Sequence, residues 1–192
     1  MSGIWVVLVL AAVVASNYAT NALGSQFYGK STVKIYDLMH ENIPDLSAYS
    51  ELNDLLVAGL AASVIFVPQP LLILTEFADS FLLILIIRCF TIVSTILPKE
   101  SGCQPQNSWI QLLKGQCYDK IFSGHISFVF LATLIYLREN LISFPVFVLL
   151  NVVQASSILL TRSHYTVDVI LGLVITYLVW KSKLRLSSFF RS

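Results

Sequence analysis

Two histidines stand at the start of apolar runs in this chain, and one of them is spaced to meet an aspartate. His164 precedes Asp168 by four positions, and His125 lies upstream in a similar setting. If a helix begins at Tyr165, residues four apart share one of its faces, so the carboxylate can hold one ring nitrogen of His164. A histidine held in this way has a fixed tautomer and a more basic free nitrogen, as a nucleophile or general base requires. The alternative interpretation of the spacing is an ordinary polar helix start.

Two histidines and an aspartate fit phosphoryl transfer better than metal binding, because few further acids lie nearby. We predict that His164, oriented by Asp168, attacks a phosphorus centre. His125 would give a proton to the departing alkoxide and then take one from the incoming alcohol or water. This scheme needs no metal ion, and we expect no cofactor.

Three further residues are candidates for binding the substrate phosphate. Ser123 and Gly124 could offer a hydroxyl and backbone N–H groups at a helix start, where the helix dipole favours an anion. Arg88 lies deep in an apolar run, where a guanidinium costs several kcal/mol unless it faces a polar cavity or a partner. We expect it either to neutralise phosphate charge or to form an ion pair with an inward acid such as Glu51 or Asp54.

The composition is that of a multi-span membrane protein. Of the 192 residues, 56% are hydrophobic and 12% are charged, whereas a soluble domain carries roughly 25% charged residues. The formal net charge of +1 offers no strongly basic surface, so nucleic acid is not expected as a partner.

The three cysteines, Cys89, Cys103 and Cys117, are too few and too scattered for a disulfide framework or a structural zinc site. Cys103 and Cys117 fall in one polar loop. They would pair if that loop faces an oxidising lumen, and free thiols are the alternative.

The apolar runs predict an all-α integral membrane fold with six transmembrane helices in one domain, residues 1–192. Pro68 and Pro70 are expected to kink or end the second helix, an acidic turn through Glu76 and Asp79 to follow it, and Pro98 to stop the third. The first run could be a signal peptide, but no basic residue precedes it. The predicted spans are about 3–23, 51–74, 80–97, 122–137, 142–160 and 165–180.

The span count places both histidines on one face of the membrane. Two crossings separate His125 from His164, and the separation of 39 positions matches two spans of roughly 20 residues each. By the positive-inside rule the C-terminus is cytosolic, so this face is lumenal or extracellular. Groups at that boundary reach lipid head groups, which makes membrane lipids the expected partners. The basic tail residues are Lys181, Lys183, Arg185 and Arg191.

Four motifs, in order over residues of about 44 to 181, resemble those of the sphingomyelin synthases. Residues 117–125 resemble the family's C-G-D-x-x-x-S-G-H motif, and residues 164–169 match its H-Y-T-x-D-V motif. Two weaker resemblances are Pro44-Asp45 with a downstream Glu51, and the segment of residues 88–98. Tyr118 replaces the glycine of C-G-D, which implies a different head-group pocket.

The resemblance implies the six-helix core of the phosphatidic acid phosphatase type 2 superfamily, with His125, His164 and Asp168 as the catalytic triad. The phosphatases of that superfamily carry Ser-Arg six residues before the second histidine, where this chain has Ser157-Ile158, and this favours the synthase branch. Head-group or structural roles are implied for the polar residues at or beside the motifs, namely Asp45, Glu51, Tyr118, Asp119 and Tyr165.

The preferred function is therefore transfer of a phospho-head group, most simply phosphocholine, from a glycerophospholipid to ceramide, with release of diacylglycerol. A lipid phosphate phosphatase that uses the same triad with water as acceptor is the alternative. A lipid-binding protein with a degenerate site is disfavoured, because all three triad positions hold reactive residues. The resemblance implies the Golgi or the plasma membrane as the compartment, and the head group and oligomeric state stay open.

Overall fold

The computed structural model describes residues 3–29, 35–99 and 117–182. Regular structure in these ranges is helical, which confirms the predicted all-α class for the described part of the chain. Cys103 and the tail residues Lys183, Arg185 and Arg191 lie outside these ranges. The described α-helices are α1 (Gly3–Tyr28), α2 (Leu38–Asn42), α3 (Leu52–Ser63), α4 (Pro70–Ser94), α5 (Gly124–Arg138), α6 (Phe144–Leu160) and α7 (Thr166–Ser182).

The helices have the length and surface of a membrane protein. Among the described residues, three helical segments are long and apolar enough to cross a bilayer, namely Val6–Tyr28, Ser47–Phe66 and Pro70–Ser94. α5 and α6 are shorter apolar helices of 15 and 17 residues. Large apolar side chains such as Phe66 and Phe90 are exposed on the outside of the bundle, where lipid tails would cover them. The protein is therefore a helical membrane protein, while the six crossings and their orientation stay predictions.

The boundary between α3 and α4 differs from the prediction. α3 continues as a 3-10 turn over Val64–Phe66, and α4 begins at Pro70 rather than at residue 80. Proline has no N–H to donate, so it is tolerated in the first turn of a helix but disrupts the interior. The helix break therefore falls at the prolines. The predicted acidic turn at Glu76 and Asp79 is wrong, since both residues lie within α4.

Smaller differences concern the other helix ends. α1 continues to Tyr28, five residues past the predicted end at residue 23, and α4 ends at Ser94, before Pro98. α5 starts at Gly124, and α7 starts at Thr166. Both histidine segments therefore lie at or just before a helix start, as the sequence predicts.

α5 is the central helix of the described bundle. Most of its side chains between residues 126 and 136 are buried. Ile135 belongs to a cluster with Ile84 of α4 and Val179 of α7, whereas the first turn of α5 packs on Ile158 of α6. The helix that begins beside His125 is thus held from three directions.

Gly172 allows α7 to approach the start of α5 closely. A Cβ atom at this position would lie 2.6 Å from Ile126 Cγ2 and 3.1 Å from the carbonyl oxygen of Ser123. The first of these distances is shorter than real Cβ contacts, so a side chain here would push the two helices apart. The same close approach joins the two histidine segments.

We expect Gly172→Ala to lower the free energy of unfolding by about 1–3 kcal/mol, because the added methyl overpacks the contact between α5 and α7. Gly59→Ala is the matched control, since a Cβ at Gly59 meets nothing within 4 Å. It should leave stability unchanged or raise it by up to about 1 kcal/mol. Thermal unfolding in detergent compares the two, and equal midpoints would contradict the close-packing argument.

Candidate active site

The turn between α6 and α7 presents His164. Arg162 adopts a positive φ of 55°, and the N–H of Ser163 donates to the carbonyl of Ile158 at 3.1 Å. These are the features of a Schellman motif, which satisfies the last carbonyls of a helix while reversing the chain. His164 therefore lies in the turn before α7.

Asp168 stabilises the start of α7 and also reaches His164. Its Oδ2 accepts the backbone N–H of Tyr165 at 3.0 Å, which satisfies a donor that the helix itself leaves unpaired. The same oxygen lies 3.4 Å from Nδ1 of His164. Asp168 is fully buried, and its Oδ1 has no hydrogen-bond partner among the described residues. The two predicted partners are thus in contact, although the distance is long for a hydrogen bond.

The closest partner of the His164 ring is the backbone carbonyl of Lys120, 2.9 Å from Nδ1. Because a carbonyl oxygen only accepts, Nδ1 carries the proton and the neutral ring has its lone pair on Nε2. Both hydrogen bonds that this ring forms with described residues use Nδ1. Burial lowers the pKa of His164, Asp168 raises it in part, and the Lys120 charge lowers it again. The net pKa is below the usual value, which favours a neutral, nucleophilic ring.

Asp37 and His40 hold the same turn from outside. Asp37 caps α2 by accepting the N–H groups of Met39 and His40, each at 3.1 Å. It also accepts the N–H of Thr166 at 2.7 Å and its hydroxyl at 2.6 Å, so one carboxylate caps α2 and α7 together. His40 Nε2 donates to the carbonyl of His164 at 3.2 Å. α2 and its cap thus bond to the backbone of His164 and to Thr166.

His125 has a carboxylate partner of its own. Its Nε2 lies 2.9 Å from Oδ1 of Asp54 on α3. The two side chains are 24% and 38% exposed, unlike the buried pair of His164 and Asp168. The carboxylate fixes the orientation of the ring, and the exposed side of the pair is open to substrate, so the pair suits a group that takes up and releases a proton.

Asn53 connects the two histidine centres. It is the neighbour of Asp54, it is buried, and its side-chain amide donates to Thr161 Oγ1 at 2.9 Å and Ser163 Oγ at 2.7 Å. The start of α3 is therefore bonded to the turn that carries His164. A direct backbone bond adds to this connection: the N–H of Ser123 donates to the carbonyl of Asp168 at 3.2 Å.

Arg88 is paired with an acid other than the two predicted. Its Nη2 donates to Oδ2 of Asp119 at 2.7 Å and to the carbonyl of the same residue at 3.0 Å. Nε donates to the carbonyl of Phe122 at 3.0 Å, and Nη1 donates to Asn17 of α1 at 3.3 Å. The predicted ion pair exists, but its partner is Asp119. These contacts bind the segment before α5 to α4 and α1.

Ser123 and Gly124, the two other predicted phosphate ligands, differ in their exposure to solvent. Ser123 is fully buried, and its hydroxyl caps α5 by accepting the N–H of Ile126 at 3.5 Å. Gly124 is partly exposed. The first N–H groups of a helix have no partner within it, so the open part of this helix start is its backbone at Gly124.

The remaining candidates divide into packing residues and exposed residues. Tyr118 is buried against α1, where a Cβ at Gly24 would lie 2.2 Å from its ring. Tyr165 is also buried, and its hydroxyl donates to the carbonyl of Pro98 at 3.2 Å. Both therefore have structural contacts. Asp45 and Glu51 are exposed, and Asp45 accepts the N–H of Ser47 at 2.9 Å.

Sequence reasoning did not identify Asp37, His40, Lys120 or the pairing of Asp54 with His125. Asp54 and His125 are 71 positions apart, and Asp37 and Thr166 are 129 positions apart. No local spacing signals such contacts. The available signal for Asp37 is its place before a short helix, a common position for a capping aspartate.

The described residues define a helical membrane protein in which His125 and His164, each with a carboxylate partner, lie at the starts of two helices that contact each other. Residues 116–184 match the family model described as PAP2 superfamily C-terminal. The matched range contains both histidine segments and supports membership of that superfamily. It fits a lipid phosphatase as well as a phosphotransferase. No curated protein matches the chain.

We expect Asp37→Asn to lower the free energy of unfolding by about 1–2 kcal/mol at neutral pH, because two helix starts lose their charged cap. Burial raises the pKa of Asp37, but the hydrogen bonds from Thr166 and His40 lower it further, so the net pKa is below the usual value. This contribution is present above the unfolded pKa of about 3.9 and is lost as the pH falls through the folded pKa.

The wild-type protein and the Asp37→Asn variant should therefore converge in stability in acid. Unfolding midpoints measured in detergent from about pH 6 to pH 3 test this. Asn42→Ala, on the exposed side of α2, is the control and should change the midpoint little. A constant difference across the pH range would contradict the assigned role.

Proposed function

We propose that this protein is a membrane phosphotransferase that moves a phospho-head group between lipids through a phosphohistidine at His164. The observation that carries the proposal is the hydrogen bond from His164 Nδ1 to the Lys120 carbonyl, with Asp168 beside it. This bond assigns the lone pair to Nε2. The matched superfamily and the apolar helices support a lipid substrate.

In the first step, Nε2 of His164 attacks the phosphorus of the donor lipid. An N–P bond forms while the P–O bond to diacylglycerol breaks, and His125 in its protonated form gives a proton to the leaving oxygen. In the second step, His125 takes a proton from the hydroxyl of the acceptor. The acceptor oxygen then forms a new P–O bond, and the N–P bond breaks. Each proton taken by His125 replaces the one it gave.

The start of α5 is the proposed phosphate contact. Gly124 offers its backbone N–H group there, and the helix dipole favours an anion at this end. Arg88 and Ser123, predicted from sequence as further phosphate ligands, have protein partners that hold this helix start in place. In the proposal they therefore act mainly by positioning.

Ceramide is the proposed acceptor, and this choice rests on the resemblance of residues 117–125 and 164–169 to the sphingomyelin synthase motifs. We also propose that the site faces a lumenal or extracellular space. Cys117, which leads into the site, is disulfide-bonded, and disulfides persist in oxidising compartments. Cys89 is a free thiol.

A lipid phosphate phosphatase is the second candidate. His125 and Asp54 are partly exposed, at 24% and 38% of their side-chain surface. Water can therefore reach the group that would activate the acceptor. With water in place of ceramide, the same two steps release a phosphate product instead of a second lipid.

The test incubates the purified protein in vesicles with labelled ceramide and donors that carry choline, ethanolamine or inositol. A labelled sphingophospholipid together with diacylglycerol is expected, and its formation should survive a metal chelator. Water-soluble phosphate product without any ceramide product would favour the phosphatase.

His164→Ala should abolish product formation and an acid-labile protein phosphate, because the nucleophilic nitrogen is removed. Size-exclusion elution in detergent checks that this variant still folds. Product formation by His164→Ala at the wild-type rate would exclude His164 as the nucleophile.

We expect Asp54→Asn to lower kcat by about tenfold or more, because His125 loses the carboxylate that orients its ring for proton transfer. Glu139→Gln, at the opposite end of α5, is the matched carboxylate control and should leave kcat unchanged. Wild-type kcat in Asp54→Asn would contradict this pairing.

A further inference from the structure

We propose that a cavity between α3, α4 and α5 holds one hydrocarbon chain of the lipid whose oxygen exchanges a proton with His125. This inference rests on the proposed function. It assigns a chain-binding part of the site that neither the motif resemblance nor the triad includes, and the ligand that it takes is a single alkyl chain.

The cavity has the size and the lining that an alkyl chain requires. Its volume is about 170 Å³, and an apolar cavity of about 150 Å³ in another protein binds benzene, so a chain segment of on the order of six carbons fits here. The described residues that line it carry aliphatic and aromatic side chains and no charge. Among them are Leu60, Ala61, Phe77, Phe128, Ala132 and Tyr136.

α5 leads from His125 into the cavity. Phe128, Ala132 and Tyr136 come three, seven and eleven positions after His125, and this spacing places all of them on the His125 face of the helix. At about 1.5 Å per residue, the lining begins roughly 5 Å from His125 along the helix axis and ends roughly 17 Å from it. A lipid with its oxygen at His125 therefore has the cavity within reach of its chain.

α3 forms the opposite wall and has the same relation to the site. Asp54, whose Oδ1 lies 2.9 Å from His125 Nε2, precedes the lining residue Ala61 by seven positions, which is about two turns. The polar group farthest along the lining of α5 is the Tyr136 hydroxyl, and it shares a hydrogen bond with Ser63 of α3 at 2.9 Å. Both walls thus run from the pair of His125 and Asp54 into an apolar space.

The cavity is open to the outer surface of the bundle. Ala61 is exposed, and Leu74, which lines the cavity from α4, is 44% exposed. Lipid tails would cover this surface in a membrane, so a chain can enter sideways from the bilayer.

The benefit of the cavity is placement of the substrate. Lipid tails are as apolar as the cavity, so moving a chain into it gives little hydrophobic driving force. A chain held there restricts where the attached oxygen lies relative to His125, and orientation of this kind lowers the barrier to reaction. The leaving diacylglycerol and the incoming acceptor both present an oxygen to His125, so each places a chain in the cavity in turn.

The experiment fills the cavity and compares donor lipids of different chain length. Ala61→Leu adds an isopropyl group to the lining, and Ala62→Leu adds the same group to the next residue, which is also exposed but does not line the cavity. For the whole protein in detergent micelles, kcat/KM is measured as diacylglycerol release from phosphatidylcholine with palmitoyl or butanoyl chains. This quantity covers only the first step of a two-step transfer, so the acceptor does not affect it.

Ala61→Leu should lower kcat/KM for the palmitoyl donor by about tenfold, the scale on which an apolar pocket responds to a change of one methylene group. The butanoyl donor, whose chains are too short to fill the cavity, should react at the wild-type rate. Ala62→Leu should resemble the wild type with both donors, because its added group faces away from the cavity.

Ala132→Leu fills the cavity from α5 and decides the matter if Ala61→Leu does not fold. A palmitoyl-to-butanoyl ratio that stays at the wild-type value in a folded, cavity-filled variant would overturn the chain-binding role alone. That outcome covers an equal loss with both donors and a cavity that holds an unrelated bilayer lipid. A wild-type protein that releases no diacylglycerol from either donor would instead overturn the proposed function.

Discussion

The buried ion pair between Arg88 and Asp119 is the interaction on which the rest of the site depends. Arg88 lies in α4, yet it bonds to Asn17 of α1 and to the carbonyl of Phe122 as well as to Asp119. Residues 117–123, the described part of the segment before α5, form no helix, and these contacts fix their path. That path sets the position of Lys120, whose carbonyl orients the His164 ring.

His125 and His164 occupy different environments, and the difference supports the different roles proposed for them. His164 is buried, its Nδ1 is tied to a carbonyl, and its pKa is lowered, all of which favour a neutral nucleophile. His125 is partly exposed and bonded to Asp54, which favours a group that exchanges protons with substrates.

The turn before α7 is stabilised by more contacts than a simple helix start. Asp168 accepts the N–H of Tyr165 from within α7, and Asp37, at the start of α2, accepts the N–H of Thr166. Asn53 of α3 donates to the hydroxyl of Thr161. Arg162 adopts a positive φ, which is uncommon for a residue other than glycine. The hydrogen bonds on both sides of the turn stabilise this backbone conformation. These contacts keep His164, the proposed nucleophile, in one orientation, and orientation is a large part of a nucleophile's effectiveness.

The amino-acid sequence alone determined the helical membrane class, the positions of both histidine segments at helix starts, and the spacing that brings Asp168 to His164. These features follow from apolar run length and from helical periodicity, both of which are local. The tertiary structure decided which acid meets Arg88, that Asp54 serves His125, and that Asp37, His40 and Lys120 surround His164. It also decided that the helix break falls at Pro70 and not in the acidic segment after it. These outcomes depend on contacts between residues far apart in the chain, and no local pattern encodes which distant partner a buried charge will find.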